Sequence, residues 1–254
     1  MQWILLRYSC VSSKTDAQDK TKRATNGVMI MKKYALAATH ISVLLALCGC
    51  KVDSKSEIFL TDAFDVASDQ TKSMEINSEF RIEVSSKATC DEKREKFTEV
   101  MSRYFSSLTS IECRYVSGGS DYMAFMAKTP IINGNKVLPN NAFAGLSVAS
   151  NASKSIVITA ILDHDRFAAL NKEISDISSM ANMDLHDVSF DLNNDGRDTY
   201  IVGGASAFVN NKPMIITDAT VSRREKLLIR LSDVAVAQLQ QQGSVPLFMV
   251  KMSN

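Results

Sequence analysis

The acidic run Asp191-Leu-Asn193-Asn-Asp195-Gly196-Arg-Asp198-Thr199 has the side chains best placed for chemistry. Asp191, Asn193 and Asp195 stand at alternate positions, so a sharp turn can aim their oxygens at one point, and Gly196 permits such a turn. Calcium takes about six to eight hard oxygen ligands, which makes Asp191, Asn193, Asp195 and Asp198 a candidate calcium set. The same residues have a plainer use, because Asp, Asn and Gly favour Asx turns that need no metal. Both readings stay open on the sequence. An EF-hand does not fit: its twelfth position is Val202 rather than a bidentate Glu, and the flanking segments pattern as strands.

Asp191, Asn193, Asp195, Gly196 and Asp198, followed by Ile201-Val-Gly-Gly-Ala205, resemble the calcium hairpin of FG-GAP repeats. The resemblance implies a metal loop joining two paired strands. Thr199 departs from it, standing where that family has a ligating Asp. The motif occurs once, so it implies no propeller.

No second constellation matches it. His164 lies between Asp163 and Asp165, and His186 beside Asp187, without zinc-ligand spacing. No nucleophile elbow or phosphate-binding glycine loop is present, so no catalytic residue is assigned. The alternatives to a non-enzymatic envelope binding protein are a metal-dependent envelope hydrolase built on the acidic loop, which lacks a base or nucleophile, and a structural lipoprotein tethering envelope layers.

From Met31 the chain runs Met-Lys-Lys, an apolar stretch to Leu47, then Cys48-Gly49-Cys50. The apolar run of about 14 residues is short of the roughly 20 that a spanning helix needs. Leu47-Cys48-Gly49-Cys50 resembles the lipobox of bacterial lipoproteins. That resemblance implies a signal peptide over 31–49, cleavage after Gly49 and lipid on Cys50. Each buried methylene contributes about 0.8 kcal/mol, so several acyl chains hold a protein on a bilayer. Lys51 follows the cysteine rather than the Asp that retains such proteins in the inner membrane, which implies the periplasmic face of an outer membrane. Residues 1–30 resemble neither domain nor leader and are read as an extension from a start site placed too early. By its lipobox the chain is also similar to lipoproteins carried by enterobacterial phages and prophages. That likeness implies an envelope role, such as blocking a receptor.

Removing the leader leaves Cys50, Cys90 and Cys113. With Cys50 lipidated in an oxidising periplasm, Cys90 and Cys113 form an even pair able to clip a helix to the following strand. Two buried free thiols are the alternative. Of 29 basic and 28 acidic side chains, residues 1–50 hold seven and two, leaving 22 and 26. A mildly acidic mature domain lacks the clustered Lys/Arg that nucleic acid binding rests on. Its expected partners are the membrane, through the anchor, and an envelope protein.

The elements that must position these residues pattern as α+β. Residues 50–75 read as a lipidated polar tether, Lys51–Ser56, with a short strand at Glu57–Leu60. Ile76–Val84 alternates as a strand, Asp91–Leu108 has helical spacing, and Ile111–Val116 with Tyr122–Ala127 reads as a hairpin turning at Gly118-Gly119. The order returns as a strand at Lys154–Leu162, a helix at Arg166–Met180 capped by Asp165, and strands at Leu185–Leu192 and Thr199–Val209. Further strands are expected at Met214–Ile216, Lys226–Leu231 and Val245–Met252, with a helix over Ser232–Gln242 ending at Gly243. The expectation is antiparallel sheets with helices on one face, in two strand-helix-strand-strand lobes at 76–132 and 143–254.

Overall fold

The computed structural model describes residues 51–115, 121–134, 136–151, 155–177, 183–204, 206–214 and 218–253. The leader, the lipobox with Cys50 and the Gly118-Gly119 turn lie outside them. The first elements are β1 (Lys51–Phe59), α1 (Leu60–Ser68), β2 (Ser73–Val84), α2 (Lys87–Met101), β3 (Leu108–Arg114) and β4 (Asp121–Asn133). β5 (Ala144–Asn151), β6 (Ser155–Leu162), α3 (His164–Ile177), β7 (Asp184–Asn193) and β8 (Tyr200–Gly204) follow. β9 (Ala207–Val209), β10 (Lys212–Met214), β11 (Ala219–Val221), β12 (Lys226–Leu231), α4 (Asp233–Gln242) and β13 (Ser244–Met252) complete the chain.

All thirteen strands join one strongly curled sheet in the order β10-β9-β12-β7-β1-β2-β4-β5-β6-β13-β8-β11, with β3 added on β4. The α+β class holds, but the sheet is mixed rather than antiparallel: β1 pairs parallel with β7, and β4 with β5. It runs unbroken from 76–132 into 143–254, the two lobes expected, and one core cluster spans both. Long β4 makes this possible. One of its edges pairs with β2 throughout, while the other serves β3 over its first half and β5 at its end.

Alternation sets the two faces of the sheet. Val52, Ile58, Phe80, Ile82, Phe125, Leu146, Ile158, Phe190 and Val250 point to the concave side and are buried. Phe80, Phe105, Phe125 and Phe143 pack there with ring centroids 4.9–6.4 Å apart. Each such ring contributes about 1.5–3 kcal/mol through burial. The helices fill this concavity: α1 lies on β1, β2, β4, β5 and β6, and α4 bridges β7 and β12 to β6 and β13. α2 covers β2, β3 and β4, and α3 packs against α2.

Local caps fix the helix ends. Ser86 accepts from Thr89 N at 3.0 Å at the start of α2, so that helix begins before Cys90 rather than after it. Asp163 accepts from Arg166 N at 3.1 Å, taking the role expected of Asp165, which lies inside α3. Gly243 ends α4 in the left-handed region at φ 73°. Gly145 is required by close approach, since a Cβ there would lie 2.6 Å from Leu138 and 2.8 Å from the Pro130 carbonyl.

The segment expected to be a tether is the main departure. Lys51–Ser56 forms most of β1, a strand flanked on both sides in mid-sheet. Its inward positions include Ser54 and Ser56, and Ser56 is buried with its hydroxyl 2.7 Å from that of Ser78. Both Ser54 and Ser56 border a cavity of about 50 Å³, lined also by Phe80, Thr129, Leu146 and Leu239.

Candidate functional site

The acidic loop leaves β7 at Asn193 and enters β8 at Tyr200. These strands are not hairpin partners. β7 pairs with β1 and β12, whereas β8 pairs with β13 and β11 on the far limb of the curl. The paired-strand context of the FG-GAP-like hairpin is therefore not met. Local pattern placed β7, but the single strand expected over Thr199–Val209 is two, β8 and β9, which join opposite limbs of the sheet.

Four side chains were expected to converge; those of Asp191, Asn193 and Asp195 have separate partners, and Asp198 is held through its backbone carbonyl. Asp191 lies on the convex face of β7, between Lys55 Nζ at 2.9 Å and Lys226 Nζ at 2.5 Å. Burial opposes its charge, but hydrogen bonds from Lys226 and Lys55 outweigh that and hold the carboxyl below its ordinary range. Asn193 donates from Nδ2 to Glu57 Oε1 at 3.0 Å. Asp195 accepts from Thr61 N at 3.0 Å and from the Thr61 hydroxyl. The Asp198 carbonyl accepts from Asn194 Nδ2 at 2.8 Å.

Asp195 is thus a cap supplied from a distance. α1 opens at Phe59, whose side chain caps nothing, so its first turn has no local acceptor. The Asp195 carboxylate fills that place from 134 residues away and sets negative charge against the positive end of the helix. Burial, then Asp195 and Asp65, push Asp62 above its ordinary value. Burial, then Asp198 and Asp195, do the same to the Tyr200 phenol.

Asn194, not assigned a role from sequence, organises the loop. It is 1% exposed, donates to the Asp198 and Val221 carbonyls at 2.8 and 3.1 Å, and accepts from Gly196 N at 3.1 Å. This is the geometry of an Asx turn tied to a second loop, whose Arg224 N donates to the Asn194 carbonyl. A calcium ion ligated by Asp191 would have to displace two ammonium groups. Among the described residues no group of three or more His, Cys, Asp or Glu is arranged to hold a metal ion.

The cysteine pair lies elsewhere. Cys90 in the first turns of α2 and Cys113 on β3 are joined by a disulfide, with Cα atoms 5.8 Å apart. It clips helix to sheet, as the even cysteine count suggested. His164 starts α3, and His186 lies on β7 with Nδ1 3.5 Å from Asp53 Oδ1. Asp53 faces Asp187 in register across β1 and β7; burial and that like charge raise its carboxyl despite His186 and Arg81.

The convex face divides into two chemistries. Across β2, β1, β7 and β12 it is covered by ion pairs, including Arg114–Glu79, Lys55–Asp191 and Arg230–Asp187. Across β6, β13 and β8 it carries Val157, Ile161, Ile201 and Met249, with Met249 opposite both Val157 and Gly203, interrupted by Thr159 and by Lys251, which faces Ile201 and pairs with Asp218. Met249 is 36% exposed.

The molecule is therefore a curled α+β sheet domain with helices in its concavity and one apolar convex strip. It belongs to the family defined by a domain of unknown function, DUF7424, whose profile matches residues 52–254. No curated protein and no solved structure matches the chain. No helix among the described residues is long and apolar enough to cross a membrane.

Proposed function

We propose that this protein is an envelope lipoprotein, anchored through Cys50, whose domain binds another envelope protein without catalysing a reaction. The observation that carries the reading is a coincidence of boundaries. The family match opens at Val52, two residues after the cysteine where the lipobox resemblance puts cleavage. A leader removed there leaves the domain whole, with lipid as its membrane attachment and the oxidised Cys90–Cys113 pair suited to a periplasmic site. The outer-membrane address rests on Lys51 after the lipobox, and phage carriage on the likeness stated above.

The apolar strip of β6, β13 and β8 supplies the binding surface. Neighbouring apolar side chains on an uncovered sheet face favour association with another apolar surface. The ion-paired half of the same face offers charges already engaged with each other. Palmitate labelling in cells tests the anchor: label enters the wild type and is lost in Cys50→Ser. A photocrosslinker at Met249 tests the strip, and one at Glu79 serves as control. A defined adduct from position 249 that is absent from position 79 supports the reading. Equal adducts, or none at 249, overturn it.

A further inference from the structure

We infer that the domain stands directly on the bilayer, on the end of the sheet where β1 begins. The inference rests on acylation of Cys50, and it goes further by assigning which end of the fold meets lipid. Cys50 is one peptide step, about 3.8 Å between Cα atoms, from Lys51. Lys51 is already a paired strand residue, opposite Asp184 on β7, with its amide donating to Glu83 Oε2 at 3.4 Å. No spacer separates the lipid from the folded sheet.

The strand pairings identify what shares that end. Glu83 faces Tyr122 on β4, and Tyr122 faces Arg114 on β3. Lys87, at the start of α2, donates its amide to Asp121 at 2.7 Å, and Tyr115 follows β3 at 65% exposure. Lys51 can meet headgroup phosphates, and an exposed tyrosine suits the polar–apolar boundary of a bilayer. β1 runs away from this end for nine residues, about 30 Å at roughly 3.3 Å per residue. Its far end carries α1 and the Asp195 loop, which therefore point away from the membrane.

The test uses the lipidated protein purified from membranes and reconstituted in phosphatidylethanolamine–phosphatidylglycerol vesicles containing a headgroup-nitroxide lipid. A fluorophore is attached at Ser85→Cys, beside the membrane end, or at Arg197→Cys, at the far end. Emission at position 85 should be largely lost and that at position 197 retained. A Gly/Ser spacer inserted between Cys50 and Lys51 should restore emission at 85 while leaving acylation intact. Acylated protein with position 85 unquenched overturns the orientation and leaves the anchor standing. Quenching that survives the spacer overturns the direct link as its cause. Protein of unacylated mass that does not bind vesicles removes the anchor and the orientation together.

Discussion

Removing the Cys90–Cys113 disulfide should lower stability by an amount set by the loop it closes. The sequence separation is 23 residues, for which the chain-entropy relation gives about 11 cal/mol/K, or about 3 kcal/mol at 25 °C. Cys90 is fully buried, so Cys90→Ala/Cys113→Ala removes the link with little change of volume. For a domain of this size the urea slope is about 2–3 kcal/mol/M, and the midpoint should fall by about 1–1.5 M. The slope should also rise, because the unlinked denatured chain exposes more surface. The assay is urea unfolding followed by far-ultraviolet circular dichroism, on the oxidised protein, the double variant and wild type under reductant. The latter two should agree. Midpoints within about 0.3 M of the oxidised protein in both cases would refute the loop-entropy reasoning; a loss only in the double variant would assign the effect to packing.

Asp195→Ala should cost about 1 kcal/mol by uncapping α1, and Asp195→Asn should recover most of it, read as thermal midpoints. Millimolar calcium should leave the wild-type midpoint unchanged, since two lysines engage Asp191; a rise abolished by Asp195→Ala would restore the metal reading. Asp191 has a folded pKa below its unfolded one, so its stabilisation is present above the ordinary Asp range and is lost as pH falls through the lowered value. Asp191→Asn should therefore be less stable than wild type at neutral pH, with the gap closing in acid. A constant gap across a pH series of urea midpoints would sink that account.

How far the sequence could be read depended on where each element found its partners. β2 and β6 were legible because most of their inward positions are apolar and alternate, whereas β4 was read only as far as Ala127 and runs on to Asn133 through inward Thr129. β1 was not, because its inward positions include Ser54 and Ser56 beside a cavity, which makes a mid-sheet strand look like a solvated tether. α1 went unrecognised because it is nine residues long and its capping carboxylate lies beyond β7. In the acidic loop the turn chemistry was legible and its convergence was not. Asp191 serves Lys55 and Lys226, and Asp195 serves Thr61, on elements distant in sequence that pairing of β7 with β1 and β12 brings near. Asn194, the most buried of the loop residues, looked like one more polar turn residue.

The curl itself follows from strand order and connection length. β7 and β8 stand seven places apart, a separation of about 34 Å in a flat sheet at roughly 4.8 Å per strand. The chain from Asn193 to Tyr200 has seven Cα steps and reaches at most about 24 Å. From Gly204 to Ala207 the constraint tightens: β8 and β9 are nine places apart, yet three Cα steps span about 11 Å at most. A flat sheet with this order cannot be connected, so its two limbs must bend toward each other. The β9–β10 turn at Asn210 and Asn211, both with positive φ, then adds a hairpin to the limb that meets β8. Asp195 acts at this convergence, tying the crossing loop to α1 and hence to β1. Its cap extends the parallel β1–β7 pairing, which ends at Phe59 and Asn193, two residues further to Thr61 and Asp195.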